Sequence, residues 1–415
     1  MSGGNVINVI NVIGLGYIGL PTSLVLAANG NQVVGTDLNP ELVQKLNQGE
    51  VTFEEKGLKE LFADAVKGDV QFTTEYQKAD VYIIAVPTPY NKKTKEINAD
   101  YVISALDTVL DVCPKGAIIV IESTISPGTI DKRLKPELKA KGFTVGEDLH
   151  LVHAPERIIP GNMIYELTHN SRTIGADNKE IAEQVKEIYA SFCKGEIVLT
   201  SIAAAELSKV VENTFRDINI AFANELAMIC RSDNIDVHEV IAIANRHPRV
   251  NILSPGPGVG GHCIPVDPWF LVGDYPELTP LIKTARLIND GMPEFVIERV
   301  YEIMKEENLS DIGRVGFYGL TYKENVDDYR ESPTLQVLEV LDRHLAGGRV
   351  QIYDPYIKKD IVANQHHDLD GFLDAVDLVI VMVAHDEFKQ NFDKFADKVI
   401  YDTKNVCPLD KAYKL

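Results

Sequence analysis

Cys263 lies in Val259-Gly-Gly-His-Cys-Ile-Pro-Val-Asp267, a stretch too rich in Gly and Pro for an extended helix or a central strand. Glycines beside a thiol let backbone amides converge on it, and Asp267 can return toward the same space. Two readings stand at this point: a nucleophilic thiolate, or a structural cysteine, which would more naturally occupy a periodic strand or helix. A second motif, Gly14-Leu-Gly16-Tyr17-Ile18-Gly19, follows the β-branched run Val6–Ile13 and opens a helix-like stretch that continues to about Asn29. In that strand, turn, helix setting Gly14 permits the tight turn, Gly16 lets amides approach a pyrophosphate, and Gly19 allows close helix packing. Tyr17 and Ile18 ride on the same loop. Asp37 stands 18 positions beyond Gly19, after a second apolar run at Gln32–Thr36. Its carboxylate suits ribose hydroxyls and repels a ribose phosphate, so NAD is expected and NADP is not. Hydride chemistry gives the thiol a use: a thiolate adds to an aldehyde, and the thiohemiacetal gives up a second hydride to become a thioester.

Other candidates are weaker alone. Thr88 in Val86-Pro-Thr-Pro89 and Thr124 in Glu122-Ser-Thr each follow an apolar run, where open parallel sheets bind ligands. Either could equally cap a strand-to-helix turn. Lys209, Asn213 and Arg216 are spaced by four and three residues and share one helix face, turned either to a site or to solvent. Glu156 and Arg157, in Ala154-Pro-Glu-Arg-Ile158, are charged loop residues with no local reason for a role. His247 and Arg249 precede the glycine-rich loop and can either meet a ligand or brace the loop. Tyr322, Lys323, Arg330 and Lys404 carry ligand-contact and structural readings equally. His262 adjoins Cys263, but adjacent side chains diverge on most backbones, so a loop-shaping role is expected.

The elements that must position these residues are legible in outline. The chain has 415 residues, 45% hydrophobic and 25% charged, which calls for more than one core. Its net charge of −20 disfavours nucleic-acid binding. The five cysteines form no C-x-x-C pair and show no zinc spacing, so no metal is expected. The opening stretch lacks a basic leader and reads as a strand, and no apolar run reaches the ~20 residues of a membrane helix, so a soluble cytoplasmic protein is expected. Further runs at Val81–Val86 and Ala117–Ile121 extend a parallel sheet with crossover helices. Ser201–Arg231 is free of Gly and Pro and reads as one long helix. A second α/β pattern follows, with strands at Arg314–Tyr318, Arg349–Tyr353, Asp377–Val383 and Lys398–Tyr401, and a helix at Pro333–Leu345. The expected fold is α/β: two Rossmann-like parallel-sheet domains joined by a long central helix. The divisions expected are 1–200 for NAD, 201–305 for a helical connector, and 306–415 for a second nucleotide-binding-like domain.

Taken in order, the Gly14 loop, Ser123-Thr-Ile-Ser-Pro-Gly-Thr129, Ala154-Pro-Glu-Arg157, Lys209 with Asn213, Gly260-Gly-His-Cys-Ile-Pro-Val-Asp267 and Gly319–Ser332 resemble the UDP-glucose/GDP-mannose dehydrogenase family over essentially the full length. The resemblance implies an NAD-dependent, four-electron oxidation of a nucleotide-sugar C6 alcohol, with Cys263 as the covalent nucleophile. It implies that Lys209 stabilises the oxyanion, that Asn213 orients the sugar and that Arg216 adds contacts. Glu156 would guide water for thioester hydrolysis, while Thr124 and Asp267 hold water and relay the C6 proton. Arg157, Ile158, His247, Arg249, Gly260, Tyr322, Lys323 and Lys404 would meet the substrate, and Arg330 the cofactor. Ala244–Cys263 and Asp267-Pro-Trp-Phe270 look most like members acting on UDP-N-acetyl-D-mannosamine, with UDP-N-acetyl-D-glucosamine the competing substrate. A homodimer or higher homo-oligomer built on the long helix is also implied.

Overall fold

The computed structural model describes residues 9–89, 98–159, 161–261, 263–344, 350–409 and 412–415. The start of the expected first strand, Val6 to Asn8, and His262 lie outside them. The chain forms two compact units, Met1–Val211 and Glu212–Leu415.

The first unit is built on eight strands: β1 (Ile10–Ile13), β2 (Val33–Thr36), β3 (Val70–Thr73), β4 (Val81–Ile84), β5 (Ala117–Ile121), β6 (Leu149–His153), β7 (Arg172–Ala176) and β8 (Ile197–Thr200). They lie in the order β3-β2-β1-β4-β5-β6-β7-β8. Strand alternation divides the core. Ile10 and Val12, Val81 and Ile83, and Ile118 and Val120 face one hydrophobic cluster. Ile13, Tyr82, Ile84, Ile119 and Ile121 face the other. Both faces are covered, which is why these strands read as unbroken apolar runs.

The parallel sheet expected from the apolar runs is present, and beyond those runs it takes one antiparallel pair, because β6 and β7 are antiparallel while β7 and β8 are parallel. After β6 the chain passes through the short helix Met163–His169 and returns beside its own strand. A strand, helix, strand unit is thereby added in reverse, with Lys179–Ala190 as its helix. The helix Gly19–Ala28 ends where the sequence pattern stops.

The helix Ile202–Ser232 spans 31 residues and runs from one unit into the next. In the second unit, its Ala223, Ala227 and Cys230 pack with Met292, Val296 and Val300 of the helix Pro280–Glu306. The second sheet holds β9 (Val315–Tyr318), β10 (Gln351–Tyr353), β11 (Gln365–His366), β12 (Leu378–Val381), β13 (Val399–Asp402) and β14 (Tyr413–Lys414). All its pairs are parallel and its order is β11-β10-β9-β12-β13-β14, so the order reverses between β9 and β12 as it does between β1 and β4 in the first sheet. Such reversals open a crevice at the strand ends.

Candidate active site

In the first unit the glycine loop sits at the β1/β4 reversal. Gly14 has φ +89, and a Cβ there would lie 2.9 Å from the Ala85 carbonyl oxygen. A Cβ on Gly19 would lie 1.8 Å from the Gly14 oxygen, whereas one on Gly16 would meet nothing within 4 Å. Two glycines are therefore required by the protein's own backbone, while Gly16 faces open space beside the first turn of Gly19–Ala28. No side chain caps that helix. Asp37 follows β2, and its Oδ2 accepts the Leu15 N–H at 2.8 Å, which ties the acidic residue to the loop. A backbone cradle with open space over Gly16 and a carboxylate beside it fits a dinucleotide. The Tyr17 ring packs on Phe53 with centroids 4.4 Å apart, Ile18 is the residue before the helix, and Thr88 is half-buried beyond β4.

Glu156, Arg157 and Ile158 follow β6. Glu156 is buried; its Oε1 accepts the Arg157 N–H at 2.7 Å and its Oε2 pairs with Arg172. Arg172 also reaches Glu122 at 3.4 Å, and Glu122 accepts from Tyr189 Oη at 3.1 Å and Thr22 Oγ1 at 3.2 Å. Burial, with the Glu156 carboxylate nearby, outweighs Arg172 and pushes the Glu122 carboxyl up to about 7. Arg157 turns to the Ser171 carbonyl and Thr173 Oγ1, at 3.1 and 2.9 Å, and Ile158 is buried.

Thr124 is half-buried beyond β5. On the long helix, Lys209 is 6% exposed. One turn earlier Glu206 accepts the Gly128 and Ile130 N–H groups at 2.6 and 3.0 Å, fixing the segment that follows Thr124.

In the second unit Cys263 is exposed, and its carbonyl accepts the Asp267 N–H at 2.8 Å. The thiol therefore stands on a turn that leads into the helix Asp267–Asp274. Asp267 is buried and its Oδ2 accepts from Asn213 Nδ2 at 2.6 Å. The glycine loop is fitted to the segment after β9: a Cβ on Gly260 would lie 2.7 Å from the Glu331 oxygen and 2.8 Å from Tyr322 Cβ. Lys404 reaches the same loop, its Nζ 3.8 Å from where a Gly256 Cβ would stand. Desolvation holds its ammonium below the usual lysine range, against the pull of Glu324 and Asp402, although the residue still meets solvent. Lys323 is half-buried, and Arg330 forms a two-armed pair with Asp328 at 2.8 and 2.6 Å. Arg216, His247 and Arg249 are exposed, so the helix face read from spacing carries two buried side chains and one open to solvent.

Against models of known families, residues 8–193 match the NAD binding domain of the UDP-glucose/GDP-mannose dehydrogenase family, 203–291 its central domain and 316–409 its UDP binding domain. The chain belongs to the UDP-glucose/GDP-mannose dehydrogenase family. It is an NAD-dependent nucleotide-sugar dehydrogenase. A relative from Methanocaldococcus jannaschii named UDP-N-acetyl-D-mannosamine dehydrogenase is 43% identical over 407 residues, covering 95% of this chain and 92% of that one. One from Ralstonia nicotianae named NDP-N-acetyl-D-galactosaminuronic acid dehydrogenase is 40% identical, covering 96% of each. The solved UDP-N-acetyl-mannosamine dehydrogenase of Staphylococcus aureus aligns with TM-score 0.87 at 43% identity, covering 98% of each chain.

Sequence reasoning passed over Glu122, Arg172, Tyr189 and Glu206, which hold the family's motifs in place here. Arg172 carried a signal: an arginine opening the otherwise uncharged strand Arg172–Ala176 implies a buried counter-charge.

Proposed function

We propose that this dehydrogenase oxidises the C6 hydroxyl of UDP-N-acetyl-D-mannosamine to the carboxylate of UDP-N-acetyl-D-mannosaminuronate, through a thiohemiacetal and a thioester on Cys263. The observation that carries the chemistry is the exposed residue Cys263 on a turn into Asp267, itself bonded to Asn213. The sugar rests on the Ala244–Cys263 and Asp267–Phe270 segments and on the names of the two relatives that share it.

Gly14, Gly16, Tyr17, Ile18, Gly19, Asp37, Thr88 and Thr124 would hold NAD, which would supply the hydride acceptor for each oxidation. Asp267 and Thr124 hold the water that takes the C6 hydroxyl proton. The Cys263 sulfur then bonds to the aldehyde carbon, and Lys209 balances the charge on oxygen. After the second oxidation Glu156 aligns water on the thioester carbon; the C–S bond breaks, freeing the carboxylate and the thiol. Asn213 orients the sugar through its tie to Asp267. Arg157, Ile158, Arg216, His247, Arg249 and Gly260 complete the sugar contacts, and Tyr322, Lys323 and Lys404 receive the UDP. Arg330 serves the cofactor.

The three-part division 1–200, 201–305 and 306–415 follows the same reading, supported by the family's domain descriptions. So does a homodimer: Leu207, Val211, Phe215, Phe222 and Ile229 are all exposed and fall on one face of the long helix. The reading places the enzyme in the cytoplasm, supplying a uronic acid to polysaccharide assembly. Among the described residues no helix is long and apolar enough to cross a membrane.

With UDP-N-acetyl-D-mannosamine and excess NAD, the expected yield is two NADH per uronate, identified by product mass. One NADH per product, or a keto product, would contradict the scheme. UDP-N-acetyl-D-glucosamine is the second reading, since it carries the same groups and differs only in the direction of its acetamido group.

A further inference from the structure

Glu156 is oriented by groups outside its own loop. The cluster around it draws on five segments: Thr22 on the helix Gly19–Ala28, Glu122 after β5, Glu156 after β6, Arg172 at the start of β7, and Tyr189 on Lys179–Ala190. The side chains of Arg172, Glu122 and Glu156 are 5%, 0% and 5% exposed. The guanidinium lies against two rings, 4.5 Å from the Tyr189 centroid and 5.2 Å from that of Phe192. One buried cation faces two acids, and a dry site does not hold the surplus negative charge cheaply. Glu122, wholly enclosed and beside a second acid, is the one suited to keep its proton, because burial outweighs Arg172 and the two hydroxyl donors, all of which favour its ionised form. Arg172 is then left to pair with Glu156, whose other oxygen is fixed by the Arg157 N–H.

We propose that Arg172 is the positioning residue for Glu156 in thioester hydrolysis, acting through that carboxylate and touching neither sugar nor cofactor. The proposal rests on the reaction given above. The alternative is a purely structural cluster that ties β7 to the rest of the sheet. The two differ in what fails first. A positioning residue slows hydrolysis and leaves the oxidations intact, whereas a loosened sheet slows every step that uses the NAD loop.

The test compares R172K, R172M, E156Q and R172M/E156Q by rapid mixing with UDP-N-acetyl-D-mannosamine and NAD, and by intact mass after quenching. For R172M a first-turnover burst approaching two NADH per active site is expected. It should be followed by steady turnover slowed about tenfold or more, with an acyl adduct on Cys263. R172K should recover part of the steady rate. R172M/E156Q should be no slower than E156Q, because a residue acting through another adds nothing once that one is gone. Burst and steady rate falling together without an adduct, or multiplied losses in the double variant, would overturn the proposal. R172M leaves two buried acids without a counter-charge. If it does not fold, R172K and the double variant against E156Q decide by the same criteria. If the wild type instead turns over another UDP-sugar, the substrate reading fails, and the same comparison in that sugar still decides for Arg172.

Discussion

Cys263 is an exposed residue on a turn, so truncating it removes chemistry with little effect on packing. Cys263→Ala should keep the melting temperature and NAD affinity of the wild type, yet lose uronate formation about a thousandfold or more. Product mass checks this, and normal uronate output would contradict the thioester route. At this scale the sequence was most legible where chemistry is local. Gly14, Gly19, Asp37 and Cys263 each announce themselves within a short window, because a turn, a ribose contact or a nucleophile demands a particular residue type. The partners of Glu156 were not legible. Arg172 and Glu122 stand 50 residues apart, and nothing near either one names the other. The two-armed Arg330–Asp328 pair was equally hidden, although the two residues are close neighbours in the chain. A loop with no periodic pattern gives no means of placing side chains two apart.

Helices and strands were readable where burial imposed a period. The long helix fell within a residue of its expected bounds, since an uninterrupted run without Gly or Pro has few alternatives. β5 matched fully, while β4 stopped at Ile84 where the apolar run went on into the loop before Pro87. What escaped was direction: β7 runs against β6, and strand direction leaves no mark on hydrophobic pattern. At Gly19, where the helix meets the glycine turn, an added Cβ would sit 1.8 Å from the Gly14 backbone oxygen, with no flexible side chain to yield. Gly19→Ala should therefore destabilise the first unit by about 3 kcal/mol. It should also weaken NAD binding, since the displaced helix carries the loop amides away. Thermal melting with and without NAD checks both effects. A variant that melts and binds as the wild type does would mean that the close contact of helix and turn is not required.

Over the whole molecule the six strands of the second sheet repeat the order of β1 to β6 in the first without a repeated sequence. Gly319 after β9 abuts Val383 after β12 much as Gly14 abuts Ala85, and Asp354 after β10 accepts the Leu320 N–H at 2.6 Å as Asp37 accepts that of Leu15. That likeness lies in backbone geometry, so a search for repeated residues passes it by. The exposed apolar stripe on the long helix belongs to this scale, as a single chain gains nothing by presenting it to water. Phe215→Glu, at a residue 64% exposed, should cost a dimer ~2 kcal/mol and leave each chain folded. Light scattering across a dilution series measures it, and an unchanged assembly would remove this face from the interface. The two candidate substrates carry identical groups and differ only in the direction of the acetamido group. A site of directional hydrogen bonds separates such epimers when the wrong one leaves a buried polar group unpaired. The direct measurement is initial NADH formation over matched concentration series of UDP-N-acetyl-D-mannosamine and UDP-N-acetyl-D-glucosamine, each checked for contamination by the other. A higher kcat/KM for the mannosamine epimer is predicted, and a higher value for the glucosamine epimer would contradict it.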